Sequence, residues 1–157
     1  MTGKDKISIY CDGACSGNQF RNNVGGWGAI LNYKDSVKEI YGGEINTSNQ
    51  RMEITACIKA LELLKPGKYP VTVYTDSAYL FNCMQKKWYL KWQQNGWRNA
   101  SKQPVENRDL WERLLALIAS RKIDFQKVAG HSGDQLNERA DVLAKKGIEE
   151  AKNSTRS

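Results

Sequence analysis

Four acidic residues occupy positions where a buried surface would ordinarily be apolar. Asp12 closes the run "ISIYCD", in which Ile7 and Ile9 share one parity and Tyr10 takes the other, the pattern of a buried strand that then reads as turning at Gly13. Asp76 closes "PVTVYTD", a β-branched run of the same kind. Glu53 heads a helical stripe: Ala56, Cys57, Ala60, Leu61 and Leu64 follow it at i+3, i+4, i+7, i+8 and i+11, so it faces inward with them. Asp141 repeats the arrangement, with Ala144 and Ile148 at i+3 and i+7. Each acid alone is compatible with a cap, a salt bridge or a wet edge. As a set of two at strand ends and two on sheet-facing helix sides, they would repel one another unless cations offset their charge. Hard oxygen ligands favour magnesium or manganese over zinc.

The elements that must position these acids can be read in order. A strand over 6–12 is followed by "GGWGAILNY" and "VKEIYGGE", two strands joined by a turn near Lys34 and Asp35. A helix over 49–64 has Thr47, Ser48 and Asn49 as candidate caps and Pro66-Gly67 as its stop. After "PVTVYTD" a helix is expected over 77–96, and another over 108–120 with Leu110, Leu114, Leu117 and Ile118 at helical spacing. "IDFQKVAG" is a last strand and "LNERADVLAKKGIEEA" a last helix. Three strands followed by alternating helix and strand predict an α/β fold, a mixed five-stranded sheet with helices on both faces. Sites in such sheets form at carboxyl ends of strands, where Asp12 and Asp76 are expected. The chain reads as a single domain over 1–157, with its core at about 6–150 and a disordered tail over 151–157.

Composition narrows the function classes. With 157 residues, 24 Lys and Arg against 17 Asp and Glu, the net charge is +7. No apolar run approaches the roughly 20 residues that span a bilayer, and "MTGKDK" lacks the apolar stretch of a signal peptide. The four cysteines form no CxxC pair and there is one histidine, which argues against zinc and for reduced thiols in a cytoplasmic protein. The cations are unevenly spread. From Ser77 through Val105 there is no Asp or Glu, whereas Lys86, Lys87, Lys91, Arg98 and Lys102 all fall there, interleaved with Trp88, Trp92 and Trp97. Clustered cations with aromatics are the footprint of a nucleic-acid surface.

The stretches "CDGACSGN", "TSNQRMEITACIKAL", "VYTDSAY", "WYLKWQQNGWR" and "VAGHSGDQLNERADVLA" occur in the order found in type-1 ribonuclease H, and the chain resembles the bacterial single-domain members over about 6–147. The resemblance implies hydrolysis of the RNA strand of an RNA–DNA hybrid, leaving 5′-phosphate and 3′-hydroxyl ends, by a protein acting as a monomer. It implies that Asp12, Glu53, Asp76 and Asp141 bind two Mg2+ ions, with Mn2+ as a substitute, and that His131 in the loop "GHSG" assists proton transfer or product departure. By the same carry-over, Cys15, Asn18, Asn49 and Gln50 lie along the minor groove of the hybrid, where 2′-hydroxyls distinguish RNA from DNA. Ser48 and Asn107 match positions that hold a phosphate of the DNA strand, and Trp88 and Trp92 would face that strand beside Lys87 and Lys91.

Three departures from the family pattern stand out. Asn46 takes the place of an arginine of the phosphate pocket, Ala78 follows "TDS" where Gln or Met is common, and the loop "GNQFRNNVGG" is longer than "GNPGPGG" and lacks its prolines. Two other readings compete. A nuclease or integrase of the same fold class would share the acids, but the basic segment and "GHSG" argue against it. A non-catalytic nucleic-acid-binding module would have no reason to keep four carboxylates that repel phosphate.

Overall fold

The computed structural model describes residues 6–16, 23–67, 69–129 and 135–156. Five strands form one sheet in the order β3-β2-β1-β4-β5: β1 (Ile7–Ser16), β2 (Val24–Tyr33), β3 (Ser36–Ile45), β4 (Val71–Thr75) and β5 (Ile123–Lys127). β2 runs antiparallel to both β1 and β3, while β4 is parallel to β1 and β5 is parallel to β4. The β2–β3 meander turns at Lys34, whose φ of 54° gives the left-handed backbone that a two-residue hairpin connection favours. The mixed sheet expected from the sequence is therefore present, with helices on both faces.

One face is covered by α1 (Asn49–Glu62), flanked by α2 (Ala78–Gln85) and α4 (Arg108–Ile118). Ile54, Ile58 and Leu61 of α1 are fully buried and share one core cluster with Ile9 and Val73 from the strands and Trp111 and Leu114 from α4. At roughly 1.5–3 kcal/mol per buried large apolar side chain, this layer is the main stabilising mass of the molecule. The other face carries α5 (Gln135–Arg156), which lies across β1, β2 and β3. Arg139 of α5 adds a forked ion pair to Glu39 of β3, at 2.6 and 2.9 Å, on the exposed rim.

Three expectations change. β1 does not stop at Asp12 and turn at Gly13. It runs on to Ser16, because its pairing with β2 continues to Ser16↔Val24 after β4 has left the ladder at Cys11↔Thr75. The segment 77–96 is two helices, α2 and α3 (Trp88–Asn95), broken at Lys86 and Lys87; Lys87 is left-handed at φ 55°. Residues 151–156 are not a disordered tail, since α5 continues through Arg156. Ala151 follows Ile148 at helical spacing and packs with it against Val24, which extends the buried stripe by a further turn.

Candidate active site

Strand divergence sets the first two acids side by side. β1 and β4 pair up to Cys11↔Thr75, and the next residues are Asp12 and Asp76. The side chains leave the sheet where the parallel ladder opens. Gly13 brings the third. A Cβ there would collide with the Glu53 amide nitrogen and the Met52 backbone, so β1 and α1 touch main chain to main chain at this point. Glycine is required at position 13 for this close approach, not for a turn. α5 is seated in the same way: a Cβ on Gly26 of β2 would meet the Ala144 carbonyl, and one on Gly147 would meet Gly42. That contact lays α5 directly on the sheet, and Asp141, one turn before Ala144, reaches the cleft at Asp12.

The result is a cleft of about 240 Å³ lined by Asp12, Glu53, Asp76 and Asp141 together with Gly13, Asn49, Asn137 and Glu138. Burial pushes the Asp12 carboxyl up to about 8, with the neighbouring Asp76 and Asp141 adding to the rise; the Gly13 N–H, at 2.9 Å, works against it. Glu53 is also raised, first by burial and then by Asp76, and a hydrogen bond from Ser77 opposes the shift. Asp141 carries an ion pair to Lys145 at 3.0 Å on its solvent side. Both shifts express one preference of the cluster, which is for positive charge, whether a proton or a metal ion. Among the described residues no three His, Cys, Asp or Glu side chains close into metal-ligand spacing as they stand. The Asp12 and Asp141 carboxyls are nevertheless near enough for a hydrogen bond, which adds to the rise at Asp12. The donor set itself, four carboxylates and no thiolate or imidazole, suits a hard divalent ion.

A larger cleft of about 870 Å³ adjoins the first and shares Asn49, Glu53 and Asp76 with it. Cys15, Ser48, Asn49 and Gln50 all line this cleft. Its wall is held by a reciprocal pair between Asn23 and the Thr47 main chain, at 2.8 and 2.9 Å. Ser48 caps α1 by accepting the Arg51 N–H at 3.1 Å, which leaves its hydroxyl proton for another acceptor. Asn107 stands behind the lining. Its Oδ1 accepts from Arg51 at 3.2 Å and its Nδ2 donates to the Tyr79 hydroxyl at 3.1 Å. Asn18 and His131 lie outside the described residues.

The basic arm differs from the sequence expectation in one respect. Trp88 and Trp92 lie four apart on α3, but they do not share an environment. Trp88 is exposed, with Lys86 over its ring at 5.9 Å, whereas Trp92 packs on Trp97 and Trp111 at 5.8 and 6.1 Å. Lys87 and Lys91 are exposed, and Lys91 lines a groove with Trp88, Trp92 and Arg98. Sequence reasoning missed Tyr79 and Glu106, which line the large cleft, and gave Arg51 no defined role. The position of Tyr79, three residues after Asp76 on the first turn of a helix, was the available signal.

The RNase H family model matches residues 4–149. The ribonuclease H of Syntrophomonas wolfei is 50% identical over 143 residues, covering 91% of this chain and 96% of that protein. The ribonuclease HI of Pseudomonas aeruginosa is 47% identical over 150 residues, covering 96% of this chain and 98% of that one. Among solved structures, LC9-RNase H1, a type 1 RNase H with the type 2 active-site motif, superposes with a TM-score of 0.81 at 28% identity, over 92% of this chain and 72% of that chain. LC11-RNase H1, solved with an RNA/DNA hybrid, shares the fold at 24% identity with a TM-score of 0.70, over 93% of this chain and 99% of that one.

Proposed function

The chain belongs to the ribonuclease H family, and on that premise we propose which of its residues carry the reaction. The activity is hydrolysis of the RNA strand of an RNA–DNA hybrid, and the family works with divalent metal ions. Asp12, Glu53, Asp76 and Asp141 hold the metal, two Mg2+ ions with hybrid bound, and Mn2+ can replace them. When bound, the ions supply the charge that activates the attacking water and stabilises the departing 3′ oxygen. The observation that carries this reading is the meeting of all four acids in one cleft that opens into a larger groove.

Each carboxylate has a defined share. Asp12 is the most buried of them and needs a neighbouring positive charge to stay ionised at neutral pH. Glu53 is oriented by Ser77, and Asp141 sits on the more exposed helix side, where it can adjust as substrate enters. His131 assists proton transfer or product departure. Cys15, Asn18, Asn49 and Gln50 meet the minor groove; Ser48 and Asn107 hold a DNA phosphate; Lys87, Trp88, Lys91 and Trp92 bear on the DNA strand.

The site is built from one chain, which supports action as a monomer. Among the described residues no helix is long and apolar enough to cross a membrane, in keeping with a cytoplasmic enzyme. The test is incubation with labelled RNA–DNA hybrid, double-stranded RNA and double-stranded DNA, with and without Mg2+. Metal-dependent cleavage of the hybrid alone is expected. Equal cleavage of double-stranded DNA would reject the assignment.

A further inference from the structure

The hydrogen bonds around Tyr79 have a fixed polarity. Its hydroxyl oxygen is reached by Asn107 Nδ2 at 3.1 Å and by Trp111 Nε1 at 3.3 Å. An indole N–H can only donate. The guanidinium of Arg51 can also only donate, so the Asn107 atom it reaches at 3.2 Å must be Oδ1, and the NH2 end is turned toward Tyr79. Arg51 is itself held by a fork onto Asp109, at 3.0 and 2.8 Å. The tyrosine oxygen thus accepts twice, and its own proton must point elsewhere. Among the described residues that proton has no acceptor, although Tyr79 lines the large cleft. Burial raises the phenol above its ordinary range, so the proton is present at any working pH.

This wall has few other means of meeting an anion. Asn46 brings no charge, Arg51 is neutralised by Asp109, and Glu106 lines the same cleft. Neutral donors are what it presents. We propose that Tyr79 is a further substrate-binding residue, donating its hydroxyl proton to a phosphate oxygen of the DNA strand beside Ser48. Asn107, Arg51 and Trp111 fix the direction of that proton, and Asn107 keeps its second amide hydrogen for the same phosphate. The inference rests on the hybrid-cleaving reading above.

The experiment uses the full chain and a short RNA–DNA hybrid. Binding is measured with Ca2+ in place of Mg2+, and kcat, KM and Tm are measured for Tyr79→Phe, Asn107→Ala, the double variant and Arg51→Lys. Tyr79→Phe is expected to raise Kd and KM about fivefold, with kcat within about twofold of wild type. The double variant should fall short of the product of the single effects by about threefold or more, because the two donors act as a unit. Arg51→Lys keeps the charge but loses the fork, and should raise KM about twofold. A purely structural tyrosine would lower Tm and leave Kd and KM at wild-type values, and that result overturns the proposal. Should Tyr79→Phe fail to fold, Arg51→Lys decides, and an unchanged KM there counts against it. Failure of the wild type to cleave hybrid would instead reject the functional reading.

Discussion

The acid cleft and the basic arm are built on opposite plans. The cleft is assembled from β1, β4, α1 and α5, where glycines let main chains touch and Ile9, Met52 and Leu143 are almost wholly buried. The arm is made from α2, α3 and the loop before α4; α3 buries no residue fully, and its lysines stand in solvent. The difference follows from what each must do. Carboxylates that hold a metal have to be fixed to within fractions of an ångström against their own repulsion, and only a close-packed frame does that. Charge contacts to a phosphate backbone are additive and tolerant of position, so an exposed arm suffices.

The largest expected break comes from the frame. Gly13→Ala should cost about 2–4 kcal/mol, because the added methyl meets α1 main chain and cannot relax into space. Urea denaturation reads the stability loss, and hybrid cleavage should fall by at least about a hundredfold, since a 1 Å displacement of Glu53 suffices for that. Wild-type stability in this variant would mean that the approach of β1 to α1 is not tight. His131→Ala should retain measurable cleavage, about tenfold to a hundredfold below wild type, as expected of a residue that assists the reaction. Loss as complete as that of an acid variant would place it among the essential groups.

The arm should respond differently. Lys87→Ala with Lys91→Ala is expected to raise KM by about tenfold with little change in kcat, and to flatten the salt dependence of hybrid binding by roughly one unit per lost contact. A salt titration in Ca2+ checks this. An unchanged slope would make these lysines a solvated face only.

A smaller effect isolates the electrostatics of the cleft. Asp12 titrates at about 8 in the folded protein, against 3.8 for the free carboxyl, so the folded state binds the extra proton between those values. Stability of the metal-free protein should therefore fall as pH rises through that window. Asp12→Asn removes the Asp12 share of the dependence, leaving that of Glu53, and should raise Tm in EDTA by roughly 5 °C at pH 8. Below about pH 4 the gain should vanish. A gain that is equal at both pH values would show that it does not arise from the Asp12 charge.

The two regions were also unequally legible in the sequence. The acids could be found because each violates a local pattern, as Glu53 does at the head of its apolar stripe. The long β1 could not, because its extension past Gly13 depends on pairing with β2, a separate run of the sequence. The break at Lys86–Lys87 has no Gly or Pro to mark it, and the left-handed turn is taken by a lysine. The Arg51–Asn107–Tyr79 network joins residues more than 25 apart along the chain, so only the folded packing of α1, α2 and α4 displays it. The helical end of α5 was within reach, since Ala151 continues the spacing of Ala144 and Ile148.

The most direct measurement compares Asp76→Asn with the lysine double variant in one assay of kcat and of hybrid Kd in Ca2+. Asp76→Asn is expected to lower kcat by about a thousandfold or more, with the fold intact by circular dichroism and Kd for hybrid within a few-fold of wild type. The lysine variant should do the reverse, weakening Kd while sparing kcat. Near wild-type turnover of Asp76→Asn at saturating Mg2+ would contradict the assignment of the four acids as the metal-holding centre.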